Sequence, residues 1–189
     1  MIEIIPARSP LNHTLHVIGS KSLSHRALIL ATLATGTSVI KNLSLCDDVR
    51  ITMKALQECD IKMEQTQEGT IILHGMGGIH QKEALSLSFE DSATSYRFFM
   101  ALGSLGITPI ILDGNVQMRV RPIKELAQIL EKGGSTIRYL EEMYFPPIEI
   151  TGPFRGGRYT ISSEISSQFI SALLLISPLT PNPISLEIK

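Results

Sequence analysis

An internal repeat constrains the fold of this chain more than any other feature of its sequence. The segment "SLSHR" at Ser22–Arg26 aligns with "SATSYR" at Ser92–Arg97, an offset of about 71 residues. Each segment opens an apolar helical run, which is followed by a β-like run, a second helix and two short strands. A third copy, "SSEISSQFISALLLISPLTPNPISLEIK", contains the first helix and one strand. Repeats of this length are whole supersecondary units that bury their apolar faces against their neighbours.

The repeat predicts an α/β fold built from β-α-β-α-β-β units, or a permutation of that order. The first helix of each unit is apolar nearly all round, which predicts full burial. The second helix mixes charged and apolar positions, which predicts partial exposure. We therefore expect buried helices surrounded by sheets, an inside-out α/β arrangement.

The repeat also divides the chain. Residues 1–18 precede the first unit and are predicted to form a hairpin that belongs with a part of the protein outside this sequence. Residues 19–189 are predicted to form one ligand-binding domain whose third unit is incomplete. We interpret the chain as a fragment of a longer protein, and we expect exposed apolar surface to favour self-association.

Composition excludes several classes of function. The net charge of -1 gives no general attraction to nucleic acid or to an anionic membrane. Two cysteines, Cys46 and Cys59, do not form a disulfide framework. Asp47 and Asp48 are predicted to cap a helix, because no third carboxylate or histidine stands at metal-ligand spacing. We expect neither a metal nor a cofactor.

Hydroxyls, amides and cations gather where the first helix of each unit begins. Each set alone is explained by helix capping, since Ser, Thr and Asp are preferred caps. If rotation relates the units, however, the helix starts converge on one polar rim that suits a phosphorylated, hydroxyl-rich small molecule. The three sets are Ser20, Lys21, Ser22 and Arg26; Asp91, Ser92, Thr94 and Arg97; and Ser166, Ser167 and Gln168.

Two further arginines lie in "NVQMRVRPI". Pro122 suits the first position of the helix that follows, and Gly133 suits its end. Arg121 therefore stands at a helix entrance, where a guanidinium can bind a carboxylate or a phosphate with two hydrogen bonds. Arg119 is predicted to be a solvated surface charge.

The segments "GSKSLSHRALIL", "GNVQMRVRPI" and "SSQFISALLL" resemble the 5-enolpyruvylshikimate-3-phosphate synthase family over the whole chain. The resemblance implies a cytoplasmic, monomeric enzyme of two similar domains, with the active site in the cleft between them. It implies transfer of the enolpyruvyl group of phosphoenolpyruvate to the 5-hydroxyl of shikimate 3-phosphate, with release of phosphate. This reaction serves chorismate and aromatic amino-acid biosynthesis and needs only these small-molecule partners.

The resemblance also implies roles for individual residues. Lys21 would contact both substrates and take part in proton transfer. Shikimate 3-phosphate would be bound by Lys21 and by Ser22, Arg26, Ser166, Ser167 and Gln168. Phosphoenolpyruvate would be bound by Lys21, Ala93, Arg121 and Gln168.

One position departs from the family pattern. Where the family has Asn-Ala-Gly-Thr, this chain has "DSAT", so Ala93 stands at the glycine position. The resemblance places this position beside the phosphoenolpyruvate pocket. A methyl group there is expected to crowd a ligand slightly larger than the substrate, which predicts weak inhibition by glyphosate.

Two other functions remain open at this point. A sister enzyme that transfers enolpyruvate to UDP-N-acetylglucosamine shares the architecture, but it typically has a reactive cysteine in the loop matching "GNVQMRV", where this chain has none. A non-catalytic module that binds phosphorylated metabolites is the second alternative. We expect the 189 residues alone to be inactive, because the resemblance places further catalytic groups in the other domain.

Overall fold

The computed structural model describes residues 10, 12, 14–66, 69–79, 83–162 and 166–189. Most of the hairpin predicted over residues 1–18 lies outside the described residues. Of the part that is described, residues 14–18 are exposed and are not assigned to a strand.

The first unit packs two helices against an antiparallel sheet of three strands. The sheet has the order β1-β3-β2, and both neighbouring pairs are antiparallel. The elements are α1 (Lys21–Leu33), β1 (Thr35–Ile40), α2 (Asp47–Glu58), β2 (Lys62–Gln65) and β3 (Ile71–Met76).

The second unit repeats this arrangement and adds a strand in front. Its sheet has the order β4-β5-β7-β6, in which β4 and β5 are parallel and the other pairs antiparallel. A parallel pair needs a crossover connection, and α3 supplies it. The elements are β4 (Leu85–Ser88), α3 (Ala93–Gly103), β5 (Ile110–Asp113), α4 (Val116–Arg119), α5 (Lys124–Lys132), β6 (Thr136–Tyr139) and β7 (Ile148–Thr151).

The third unit has β8 (Gly157–Ile161), α6 (Ser167–Ile176), a short 3₁₀ turn and β9 (Ile184–Ile188). The strands β8 and β9 are parallel, as are β4 and β5. The order β5-β7-β6 likewise matches β1-β3-β2. The strand pairing therefore agrees with the predicted unit, and the second unit contains every element of it.

The first helices of the units pack together, and each also contacts strands of its own unit. Helix α3 lies at the centre, against α1, α2, α5 and α6 as well as β5 and β7. Its buried run Phe98–Leu102 is at most 1% exposed. This matches the prediction that helices lie inside and sheets outside.

The prediction that the first helix of each unit is fully buried is wrong for α1 and α6, which lie on either side of α3. On α1, Leu23 and Leu30 are 67% and 50% exposed, and on α6, Leu174 is 53% exposed. Helix α1 packs mainly on β3 and α2, and α6 mainly on α3, so the described elements leave one apolar side of each helix uncovered.

Two predicted helix starts are shifted. Helix α2 begins at Asp47 after the N-cap Cys46, so Asp47 and Asp48 lie in the first turn and do not cap it. Carboxylates are still favoured there, because the first turn carries partial positive charge. Helix α5 begins at Lys124, two residues beyond Pro122, and ends at the predicted Gly133.

Within the described ranges, no helix combines the length and apolar character needed to cross a bilayer. The same residues contain no group of three or more His, Cys, Asp or Glu side chains placed to hold a metal ion.

Candidate substrate-binding site

Three helices of the repeat begin at a serine N-cap. The hydroxyl of Ser20 accepts from the Leu23 N–H at 3.4 Å, and that of Ser166 accepts from the Gln168 N–H at 3.2 Å. Ser92 caps α3 by position, but its hydroxyl bonds to Ser95 and not to the backbone. The predicted capping role of these serines is therefore confirmed at α1 and α6.

The starts of α3 and α6 are joined through one arginine. Arg97 Nη1 donates to Gln168 Oε1 at 2.6 Å and to Ser166 Oγ at 3.2 Å. Gln168 Nε2 in turn donates to Thr94 Oγ1 at 2.8 Å. The guanidinium lies 4.7 Å from the ring centroid of Phe169, a favourable cation–π distance. Both ends of the Gln168 amide are thus held, which fixes its orientation.

The start of α1 is joined to α6 in the same way. Arg26 Nη2 donates to Ser171 Oγ at 2.8 Å, and Nη1 donates to the carbonyl of Ser22 at 2.9 Å. The guanidinium also lies 5.8 Å from the ring centroid of Phe98 on α3. Arg26 therefore connects α1 to the middle of α6 and of α3, whereas the two helix starts that are joined directly by hydrogen bonds are those of α3 and α6.

Lys21 forms an ion pair with Asp48 in the first turn of α2. The Lys21 side chain is 51% exposed and that of Asp48 is 26% exposed. The amine is held at one side of the helix starts while much of its surface remains open to a ligand.

Below this ion pair, polar side chains of three helices bond to one another in the core. His25 Nδ1 lies 2.8 Å from Thr52 Oγ1, which lies 2.7 Å from Ser95 Oγ. Ser95 Oγ also lies 2.7 Å from Ser92 Oγ. All four side chains are buried.

Arg121 is exposed and lies close enough to affect Arg97. Burial, followed by the like charge of Arg121, lowers the pKa of Arg97, while Glu125 opposes the shift. The Arg97 Nε atom is buried and has no hydrogen-bond partner within the described part of the chain. The repulsion between these two cations and the unpaired Nε of Arg97 favour an anion as ligand.

The prediction that Arg119 is a solvated surface charge is correct only in part, because its side chain is 37% exposed but its charge is paired. Its Nε and Nη2 donate to the two carboxylate oxygens of Asp113 at 2.9 and 2.6 Å, and its Nη1 donates to Glu141 at 2.6 Å. Gly114 N–H also donates to Asp113 Oδ1 at 2.7 Å. Arg119 therefore connects the loop that carries Arg121 to Asp113 at the end of β5 and to Glu141 beyond β6.

Three further predicted site residues, Ser22, Ser167 and Ala93, lie at the starts of α1, α6 and α3. Ser22 and Ser167 are exposed at the starts of α1 and α6. Ala93 is the first residue of α3 and is 6% exposed.

Sequence reasoning placed Arg97 on the predicted polar rim without assigning it a substrate contact, and it did not select Asp48, Thr52, Ser95 or Ser171 as site residues. The alignment of Arg26 with Arg97 in the repeat was the available signal for Arg97. The other four contact the site through tertiary neighbours, which no spacing in the sequence indicates.

A family model described as EPSP synthase (3-phosphoshikimate 1-carboxyvinyltransferase) matches residues 5–188. The chain belongs to the EPSP synthase family. The predicted family is therefore confirmed.

Relatives of this EPSP synthase family chain agree with the match. Proteins named 3-phosphoshikimate 1-carboxyvinyltransferase from Citrobacter koseri and Erwinia tasmaniensis are each 39% identical over 178 residues. Each alignment covers 93% of this chain and 42% of the relative. The chain thus spans about two fifths of the length of these relatives.

A solved structure of EPSP synthase from Acinetobacter baumannii superposes with a TM-score of 0.78 at 26% identity. The superposition covers 88% of this chain and 38% of that chain. The predicted α/β fold of the enolpyruvyl transferase type is confirmed.

Proposed function

We propose that this chain is the shikimate 3-phosphate-binding part of a 3-phosphoshikimate 1-carboxyvinyltransferase. The observation that carries the proposal is the convergence of α1, α3 and α6, where Arg26 and Arg97 both reach hydroxyls of α6. The curated relatives that bear this enzyme's name support the substrate. Two fixed guanidiniums beside serine hydroxyls suit a phosphate or carboxylate better than a neutral ligand.

In this proposal the substrate phosphate binds the hydroxyls of Ser166 and Ser167 at the start of α6, where the positive end of the helix dipole favours an anion. Gln168 lies between the two substrates, and its amide is already oriented by Arg97 and Thr94. Ser22 and Arg26 bind the carboxylate and ring-hydroxyl side of shikimate 3-phosphate.

In the addition step, the 5-hydroxyl loses its proton, its oxygen bonds to C2 of phosphoenolpyruvate, and the methylene carbon C3 takes up a proton. In the elimination step, C3 gives up a proton as the bond from C2 to the phosphate oxygen breaks, which restores the C2–C3 double bond and releases phosphate. Lys21 is the proposed proton-transfer group, since an amine held by Asp48 is fixed in place and still half exposed. Arg121 binds phosphoenolpyruvate and, with Lys21, stabilises the charge that develops on the departing phosphate.

Titration calorimetry with shikimate 3-phosphate tests the binding role of the 189-residue chain. We expect weak binding, and we expect Arg26→Gln to weaken it at least about tenfold because a charge-assisted hydrogen bond is lost. Arg138→Gln is the matched control, since Arg138 pairs with Glu149 on the outer strands β6 and β7. Loss of binding in both variants to the same extent would point to net charge alone and would contradict the assigned site.

Phosphate release tests the catalytic part of the proposal. A mixture of this chain with both substrates should release none, because the proposed cleft is completed by a second domain. Measurable phosphate release would contradict the proposal that catalysis needs a second domain.

Two binding results would favour the alternative functions. Binding of UDP-N-acetylglucosamine in preference to shikimate 3-phosphate would favour the sister enzyme. Shikimate 3-phosphate binding without turnover in any longer protein that contains this chain would favour a non-catalytic module.

The proposal also predicts the effect of Ala93 on glyphosate. Ala93 opens α3 directly before Thr94, whose hydroxyl holds Gln168. In an active protein that contains this chain, we expect weak inhibition by glyphosate, and we expect Ala93→Gly to strengthen it because the methyl group no longer crowds the ligand. Steady-state inhibition assays with phosphoenolpyruvate as the varied substrate measure this.

Ala101→Gly is the matched control for that prediction, since Ala101 is fully buried further along the same helix. It should leave the inhibition constant unchanged. Ordinary micromolar inhibition of the unmodified protein, unaffected by Ala93→Gly, would contradict the prediction.

A further inference from the structure

Four buried side chains connect the interiors of three helices. They are His25 on α1, Thr52 on α2, and Ser95 and Ser92 at the start of α3; we call them the His25 group. Successive members lie 2.7–2.8 Å apart, which is ideal hydrogen-bond distance. None of them is among the residues to which a substrate contact is assigned above.

The His25 group ends on the backbone of Asp48. Thr52 Oγ1 and Ser95 Oγ each lie 3.3 Å from the Asp48 carbonyl oxygen, within hydrogen-bond distance. Asp48 is the residue whose carboxylate pairs with Lys21. Contacts from α1 and α3 therefore fix the turn of α2 that positions the Lys21 amine.

A count of protons favours one tautomer of His25. If Nδ1 carries the proton, it donates to Thr52, Thr52 donates to the Asp48 carbonyl, Ser92 donates to Ser95, and Ser95 donates to Thr52. Every short contact then has one proton, and the carbonyl of Asp48 receives a side-chain hydrogen bond. The buried Nε2 is left as an acceptor without a partner within the described residues.

The other tautomer is less favourable. If Nε2 carries the proton, Thr52 must donate to Nδ1 and can no longer donate to Asp48. The buried Nε2 then becomes an N–H donor without an acceptor, and buried unpaired N–H groups are rarer in proteins than unpaired acceptors. This arrangement loses one hydrogen bond and leaves a donor unsatisfied.

We propose that His25, as the Nδ1–H tautomer, is a positioning residue that holds the first turn of α2 and thereby holds Asp48 against Lys21. Its importance for catalysis rests on the proposed function, whereas the contacts themselves do not. Burial lowers the pKa of His25 to about 4, so the ring stays neutral near pH 7 and keeps this role.

Long-range ¹H–¹⁵N NMR of the ¹⁵N-labelled chain identifies the protonated ring nitrogen directly. We expect a protonated Nδ1 and an unprotonated Nε2 for His25 at pH 7. A protonated Nε2, or a spectrum that averages the two tautomers, would overturn the proposal. This measurement involves no substrate, so it is independent of the assigned enzyme activity.

Chemical labelling tests the connection to Lys21. The rate of reductive methylation of Lys21 is measured by mass spectrometry relative to Lys62, an exposed lysine on β2. Asp48→Asn removes the ion pair with Lys21, so its Lys21 methylation rate sets the upper limit for the other variants. Thr52→Val should raise the Lys21 rate by about 1.5- to fivefold, the change expected for loss of a partly exposed ion pair.

Two controls separate positioning from simple destabilisation. Thr52→Ser keeps the hydroxyl and should leave the Lys21 rate unchanged. His25→Asn keeps an N–H donor close to the position of Nδ1 and should also leave the Lys21 methylation rate unchanged, whereas His25→Leu should raise that rate. An unchanged Lys21 rate in folded Thr52→Val or His25→Leu would overturn the proposal, even where the melting temperature falls. If the chain fails to bind shikimate 3-phosphate while these results hold, only the proposed function fails.

Discussion

Gly19→Ala should lower the free energy of unfolding by about 3 kcal/mol, at the upper end of the usual cost of overpacking. A Cβ at this position would lie 1.9 Å from the carbonyl oxygen of Asn42 and 2.9 Å from the backbone nitrogen of Ser44. Both are backbone atoms, so the contact cannot be relieved by rotation of a side chain. The expected result is a shifted urea midpoint with an unchanged slope.

The same substitution should weaken shikimate 3-phosphate binding. The Ser44 N–H donates to Ser24 Oγ at 2.9 Å, and that hydroxyl donates to the Ser20 carbonyl at 2.8 Å. Movement of the 42–44 backbone therefore disturbs the first turn of α1, from which Lys21 extends.

Gly106→Ala is the matched control for Gly19→Ala. Of the residues that the structure describes, a Cβ there would meet only the Ile79 carbonyl oxygen, at an ordinary 3.8 Å. The unfolding free energy of this variant should change by less than about 1 kcal/mol. Alanine restricts the unfolded chain more than glycine does, and this gain in stability offsets a small strain in the folded state. Equal stability of the two variants would contradict the predicted backbone clash.

Acidification from pH 7 to pH 4.5 should remove about 2 kcal/mol of unfolding free energy through His25 alone. Burial lowers the pKa of His25 from its ordinary value of 6.5 to about 4; the positive charges of Lys21 and Arg26 add to this, and Asp48 opposes it. Because the unfolded chain takes up the proton more readily, protonation favours unfolding. The contribution is fully present above about pH 6.5 and is lost as the pH falls toward 4.

Urea unfolding of wild type and His25→Asn at both pH values isolates this contribution. The variant should be less sensitive to acid than the wild type by about 2 kcal/mol, since asparagine does not titrate. His16→Asn, which removes an exposed histidine, should retain the wild-type pH dependence. The same acid sensitivity in His25→Asn as in wild type would show that His25 is not the group responsible.

The sequence pattern predicted the repeated units because periodicity and turn residues are local properties. The apolar run before Gly103 and the mixed run over Lys124–Lys132 each indicate a helix and its environment. The prediction of uniform burial failed at Leu23 and Leu30 because exposure depends on what surrounds a helix: α1 packs against β3, α2 and α6, but these neighbours do not cover the side chains of Leu23 and Leu30.

The candidate site was predictable where its residues lie at helix starts. Lys21, Ser166 and Gln168 stand at cap or first-turn positions, which sequence can locate. The roles of Arg119 and Thr52 depend on partners elsewhere in the chain: Arg119 bonds to Glu141, and Thr52 bonds to His25 and Ser95. Such long-range polar contacts leave no periodic signature in a single sequence.

The three units differ in charge at one position of their first helices, where two units have an arginine and the third has a serine. Arg26 and Arg97 lie about one turn after the starts of α1 and α3. The corresponding residue of α6 is Ser171, whose hydroxyl accepts a hydrogen bond from Arg26. An arginine in all three copies would crowd three like charges around one axis and leave no neutral acceptor between them. In the proposed site, the neutral Ser171 of the third unit therefore gives Arg26 a hydrogen-bond acceptor without adding a third positive charge.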